Sequence, residues 1–220
     1  MKMENRHHQA GGRVKALPLS LLTLLLLFFA SCQESDDTQE AYPDWQNKNE
    51  LAFLKLYQEA KDAIAAGDKN WALVRGCLRA DSIASELVEP TDYIIAQMLE
   101  KGTGTASPFY TDTVAVHYSG RLQPSTYYPQ GLNFDNSFYG SYDPAVSTPY
   151  HGRVGGFIEG FSTALQKMHR GDHWRVYIPY QLGYGNATTS SIPAYSMLIF
   201  DMWLSDFWSK KEGDRPDKTE

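Results

Sequence analysis

"RVYIPYQLGYGNATTSSIPAYSMLIFDMWL", residues 175–204, opens and closes as a β-strand, yet its middle is Tyr, Gly, Thr, Ser and Pro. The flanks are β-branched and aromatic and stop at Gly or Pro, which is strand punctuation. A long connection studded with rings between two well-formed strands is expected to cover something. The same punctuation recurs on either side of it. "DYIIAQMLE" at 92–100 and "TVAVHYSG" at 113–120 read as strands, as do "HWRVYIP" at 173–179 and "MLIFDMWL" at 197–204. Among these runs only "GFSTALQKMHRGD" at 160–172 looks helical, with Phe161, Leu165 and Met168 on one face and Gly171 after its end. Several strands of antiparallel type around one short helix predict an α+β domain over residues 92–207, with the sheet packed on that helix.

Upstream, Leu51, Leu54, Tyr57 and Ile64 follow helical spacing, with Asp44 or Asn49 as candidate caps and Gly67 as the stop. This predicts one amphipathic helix within an N-terminal extension over 44–91. Its apolar face packs on the main domain or on a second copy, and the sequence leaves that choice open. "WALVRGC" at 71–77 is a candidate extra strand, and "ADSIASELV" at 80–88 a short helix or loop. Residues 208–220 read as a polar tail.

The first 31 residues carry a basic stretch (Lys2, Arg6, Arg13, Lys15), the apolar run "LPLSLLTLLLLFFA" and small residues leading to Cys32. That is the order of an export signal, and the apolar run is shorter than the roughly 20 residues a membrane-spanning helix needs. "FASC" at 29–32 resembles a bacterial lipobox, whose Cys becomes the lipid-modified first residue. This implies lipidation at Cys32 and an anchor in the outer membrane of a Gram-negative bacterium, on its periplasmic or its outer side. "QESDD" at 33–37 resembles an acidic surface-export signal, within a flexible tether over 32–43. Loss of residues 1–31, with four basic residues and one acid, takes the net charge from −6 to about −9. Nucleic acid is excluded as a partner by that balance, because phosphate binding needs clustered Lys and Arg. Cys77 would then be the one remaining thiol, expected as a small buried hydrophobe.

The usual catalytic motifs are missing. The chain has no G-x-S-x-G, H-E-x-x-H or C-x-x-C, so hydrolase, zincin and thiol-redox chemistry find no anchor. His169 and His173 stand four apart, but Gly171 between them interrupts the helix that would align them, so no metal is expected. What remains is a group of aromatic and aliphatic residues near strand ends, with one carboxylate among them.

Five segments in order carry a resemblance: "VHYSG" (116–120), "FDNS" (134–137), "GFIEGFSTALQKMHRGD" (156–172), "YIPYQLGYG" (177–185) and "IPAYSMLIFDMWL" (192–204). Together they resemble the FK506-binding-protein (FKBP) type of peptidyl-prolyl cis-trans isomerase. The resemblance implies an FKBP-like twisted antiparallel sheet wrapped around one short helix, here with an N-terminal helical extension. It implies a catalytic set of Tyr118, Asp135, Ile158 and Tyr184, with Ile158 offering its backbone N–H and Tyr184 its hydroxyl. It implies a substrate pocket of Phe134, Phe157, Phe161, Ile192 and Phe200, with Phe161 as the floor and the loop bearing Tyr184 and Ile192 as one wall. No cofactor is implied. The implied partners are proline-containing polypeptide clients and macrolides of the FK506 type, and the implied role is assisting the folding of exported proteins.

Three departures from the family pattern stand out. The floor is Phe161 where the family usually has Trp. Residues 121–133 form a longer connection than usual, expected to extend a hairpin beside the site. No counterpart is evident for the Arg that commonly follows the "FD" motif and pairs with its Asp. Two other classes therefore stay open: a module that binds proline-containing chains with little isomerase activity, and an assembly scaffold working through the helix at 50–66.

Overall fold

A computed structural model of the chain describes residues 41–79 and 88–209. The expectations for the export signal, for Cys32, for most of the tether, for most of "ADSIASELV" and for most of the tail lie outside those residues. Helix α1 spans Trp45–Ala65 and is followed by β1, Trp71–Arg75. Strands β2 (Tyr93–Glu100), β3 (Thr113–Leu122), β4 (Asn133–Asn136) and β5 (Tyr150–Arg153) come next. Helix α2 (Glu159–Leu165) separates them from β6 (His173–Ile178) and β7 (Leu198–Trp208).

The seven strands form one antiparallel sheet in the order β1-β2-β6-β7-β3-β4, with β5 also paired to β3. Side chains alternate across a strand, and the alternation here sends two sets to opposite faces. Ile94 and Ala96 of β2, Val176 of β6, and Leu198, Phe200 and Met202 of β7 meet Phe161, Ala164 and Leu165 of α2 in the main core. Ile95 and Ile199, one residue out of phase, face the other way with Met197 and are covered by Phe53 and Ala60 of α1. The sheet thus lies between two helices. Gly160 lets α2 approach closely, because a Cβ there would sit 2.3 Å from the Ile178 side chain of β6.

The second face is closed by α1 in a way that corrects the sequence reading of this helix. Leu51, Leu54 and Ile64 are exposed, and the buried residues are Trp45, Asn49, Phe53 and Ala60. The packing stripe is set by which side of the helix meets Ile95 and Ile199 of the sheet and the adjacent Met197, and Ala60 is small enough to let the backbone come near. Asn49 is an interior helix residue, not a cap, whereas Asp44 precedes the first turn in a left-handed conformation (φ 54°). Gly67, at φ +91°, follows the end of the helix.

Three smaller differences follow from the same geometry. Helix α2 ends at Leu165, so Met168 lies beyond it, though still fully buried. Cys77 is exposed, against expectation, because it sits in the turn that leaves β1 at the sheet edge. The polar four-residue strands β4 and β5 were not expected as strands at all. Each pairs with one end of β3, whose backbone groups recruit them regardless of their side chains.

Candidate active site

Four elements bring their rings to one place. Tyr118 comes from β3, Phe134 and Asp135 from β4, Phe157 from the turn before α2 and Phe161 from α2 itself, and Phe200 from β7. Phe161 and Phe200 are buried, and their ring centroids are 5.1 Å apart in an edge-to-face contact. Tyr118 meets both, at 5.5 Å from Phe161 and 6.1 Å from Phe200. Phe134 stands edge-on to Phe200 at 5.5 Å, and Phe157 stacks on Phe161 at 4.6 Å. Such edge-to-face contacts each add modest energy to area burial and fix ring orientation. The result is a floor of Phe161 and Phe200 with half-buried rings around it.

The register of the sheet explains why these rings can meet. Gly120 of β3 pairs with Phe200 on one side and Asp135 on the other. A Cβ on Gly120 would lie 2.6 Å from the Phe200 ring and 2.7 Å from that of Phe134. A missing side chain in the middle of a central strand therefore makes the room that two rings use.

Asp135 is exposed at the margin of this ring cluster, and the Tyr118 hydroxyl donates to its Oδ2 at 2.9 Å. Burial, and then the hydrogen bond to and the charge of Asp135, push the Tyr118 phenol well above its ordinary value. It therefore stays protonated and remains a donor. No Lys or Arg pairs with Asp135 among the described residues. A cleft of about 420 Å³ runs along residues 133–139, with Phe134 and Asp135 in its lining.

Ile158 is the residue before the first turn of α2; its carbonyl accepts from Ser162 N–H. Its own N–H has no hydrogen-bond partner among the described residues, as expected for a helix entrance. The loop between β6 and β7 supplies Tyr184, which is exposed, and Ile192, which is buried in the main core. Tyr150 of β5 was missed by the sequence reading. Its ring contacts Tyr118 at 6.2 Å and Phe157 at 5.9 Å, and it is exposed at the rim. The one signal for it was the pair Tyr150 and Gly152 at strand spacing, since a Cβ on Gly152 would meet both the Tyr150 and Phe157 rings.

His169 and His173 fall in different elements: His169 in the turn after α2, and His173 in β6, where its ring stacks on Trp203 at 4.1 Å.

Residues 104–205 match the family model of the FKBP-type peptidyl-prolyl cis-trans isomerase. Over that stretch the chain is similar to this family. Over 112 residues the chain is 37% identical to the macrophage infectivity potentiator of Trypanosoma cruzi, covering 50% of this chain and 51% of that one. It is 34% identical to FkpA of Escherichia coli K12 over 113 residues, covering 51% and 37% of the two chains. With FkpA of Aeromonas hydrophila the identity is 35% over 157 residues, covering 71% and 51%. The chain thus spans about half or less of the length of these relatives. The crystal structure of Escherichia coli FkpA superposes with a TM-score of 0.53 at 24% identity, covering 90% of this chain and 76% of that one, a likeness of fold. The matched region starts after β2, yet β1 and β2 belong to the same sheet.

Proposed function

We propose that this protein is a peptidyl-prolyl cis-trans isomerase acting on X-Pro bonds of exported polypeptides and so assisting their folding. The observation that carries the reading is the meeting of Tyr118, Phe134, Phe157, Phe161 and Phe200, with Asp135 held at their margin. Rotation about an X-Pro bond must break amide resonance, against a barrier of about 18–20 kcal/mol. No covalent bond is made or cut, so the chemistry asks only that the twisted amide be bound better than either planar form.

The residues divide that task. The pyrrolidine ring rests on Phe161 between Phe157, Phe134 and Phe200, and the apolar cup strips water from the amide. Ile158 N–H and the Tyr184 hydroxyl hold the chain on either side of the proline. Asp135, oriented by the Tyr118 hydroxyl, places fixed negative charge beside the rotating group, and preorganised charge of this kind needs no rearrangement at the moment of rotation. Ile192 closes the wall, and Tyr150 adds a ring at the rim. The same cup suits macrolides of the FK506 type, which would compete with the peptide.

In the same reading, residues 1–31 are an export signal, Cys32 is lipidated and residues 32–43 tether the domain to the outer membrane of a Gram-negative bacterium. Residues 44–91 are the extension, 92–207 the isomerase domain and 208–220 the tail. The support is the order of basic, apolar and small residues before Cys32. Labelling with a radioactive fatty acid should mark the native chain and not Cys32→Ala, and protease access on whole cells then tells the membrane face.

A second reading, a proline-chain binding module, is favoured by Phe161 at the floor and by Asp135 without a cationic partner among the described residues. One assay separates the two: proline-limited refolding with wild type, Asp135→Val and Tyr184→Phe. Catalysis is expected to fall about fivefold or more in Tyr184→Phe, the worth of one lost hydrogen bond, and further in Asp135→Val. Binding without acceleration by the wild type would leave the module.

A further inference from the structure

The loop between β6 and β7 bears Tyr184 and Ile192; Leu182 and Ile192 reach into the main core, while the stretch from Gly183 to Ser191 has no strand partner. After the short turn at Tyr180–Leu182 its internal hydrogen bonds are local, such as Tyr195 N–H to Gly185 O and Ile192 N–H to Thr189 Oγ1. Tyr195 adopts a left-handed backbone, at φ 61°. A non-glycine residue pays a steric cost there and keeps the conformation only where its surroundings enforce it.

The surroundings are the first turns of α1. Trp45 Nε1 donates to Ser196 Oγ at 2.8 Å, and Met197 N–H donates to Asn49 Oδ1 at 2.9 Å. Tyr180 OH donates to Glu50 Oε1 at 3.0 Å, and the Tyr180 ring meets that of Tyr195 at 5.2 Å. These contacts sit on both sides of the strained residue. They also lead inward, because the Ser196 hydroxyl donates at 2.7 Å to the carbonyl of Pro193, the residue after Ile192.

Asn49 is the telling residue. It is 1% exposed on a helix face that otherwise presents apolar side chains, where Leu or Ala would give cover with no polar group to satisfy. Both ends of its amide are used, with Nδ2 donating to Trp45 O at 2.7 Å and Oδ1 accepting from the loop. A buried amide satisfied in this way specifies one arrangement of the groups it joins.

We propose that Trp45 and Asn49 are positioning residues for the isomerase reaction: the first turns of α1 hold the loop wall of the proline site in its substrate-ready geometry. The inference rests on the functional reading above. The extension is then part of the catalytic unit although it lies outside the matched family region, residues 104–205.

The test uses the chain from Gln33 to Glu220 and a tetrapeptide with one X-Pro bond. In Asn49→Ala the buried Met197 N–H loses its acceptor, and KM is expected to rise about five- to tenfold, the worth of one hydrogen bond or slightly more, with kcat within about twofold. Hydrogen exchange should quicken over residues 184–197 and not in β3 or β7. Ser196→Ala should do the same more weakly, and Ser196→Thr, which keeps the hydroxyl, should restore the wild-type KM. Leu204→Val, a destabilising change at a buried residue of β7 that none of these α1 contacts includes, should leave KM unaltered. If Asn49→Ala does not fold, the two Ser196 variants decide by the same criteria. An unchanged KM, or exchange that quickens evenly over the sheet, overturns the inference. A wild type that binds the peptide without accelerating its isomerisation overturns the catalytic reading instead. The peptide dissociation constant of the variants then takes the place of KM in the same comparison.

Discussion

At Gly120 the rings of Phe134 and Phe200 occupy the space a side chain would need. Gly120→Ala adds one carbon to a filled place, and overpacking of this kind costs about 1–3 kcal/mol. Because the displaced atoms belong to the candidate pocket, urea denaturation should show that loss together with a clear drop in isomerase rate. Two histidines on the other face of the sheet give a second residue-level expectation. His117 and His173 pair with Trp203 from either side in the strand register, and both are held below the ordinary imidazole value of 6.5 by burial. Glu100 and Asp201 beside His173 pull the other way and only reduce the effect. Both rings are therefore neutral in the folded chain, while the unfolded chain takes up protons as pH falls below 6.5. Stability is unaffected by these groups above that value and declines below it. Urea midpoints at pH 8, 6.5 and 5 should show the decline, and His117→Gln should flatten it.

Among the elements, the long strands were legible because their alternation is set by two buried faces. "TVAVHYSG" sends Val114, Val116 and Tyr118 to the side of α2, and Ala115 and His117 between them to the opposite, also buried, face. Strands β4 and β5 left no such trace: "NFDN" and "YHGR" are short and polar, and their pairing is dictated by the free edge of β3. Tyr150 was hidden with them, since Gly152 two residues on is the one mark in its segment of a close ring, and it does not name Tyr118 as the neighbour. The existence and ends of α1 could be read from its spacing and from Gly67, but its buried face could not. Leu51 and Leu54 have the right periodicity on the wrong side, and only a facing sheet distinguishes them from Phe53 and Ala60. The rings of the site were legible through a family pattern, not through chemistry, because each alone would pass for ordinary core. The contacts that brace the loop from α1 join residues more than a hundred positions apart and were not legible at all.

For the whole molecule, α1 and β1 are structural partners of the sheet and not an appended arm. A chain beginning at Asp92 loses the cover over Ile95, Met197 and Ile199, which are now buried, and leaves β2 as an unpaired edge. Bare edges pair with other chains, and each uncovered side chain forfeits about 1.5–3 kcal/mol. Such a fragment should have a lower urea midpoint than the chain beginning at Gln33 and should self-associate in analytical ultracentrifugation. β3 meets β7 along one side for its whole length, while its other side is shared between β4 and β5, with residues 137–149 leaving through the gap. Asp135 and Tyr150, either side of that gap, are each pinned to an unbroken neighbour. The exposed tip near Val146 can therefore lengthen without shifting either of those two anchors.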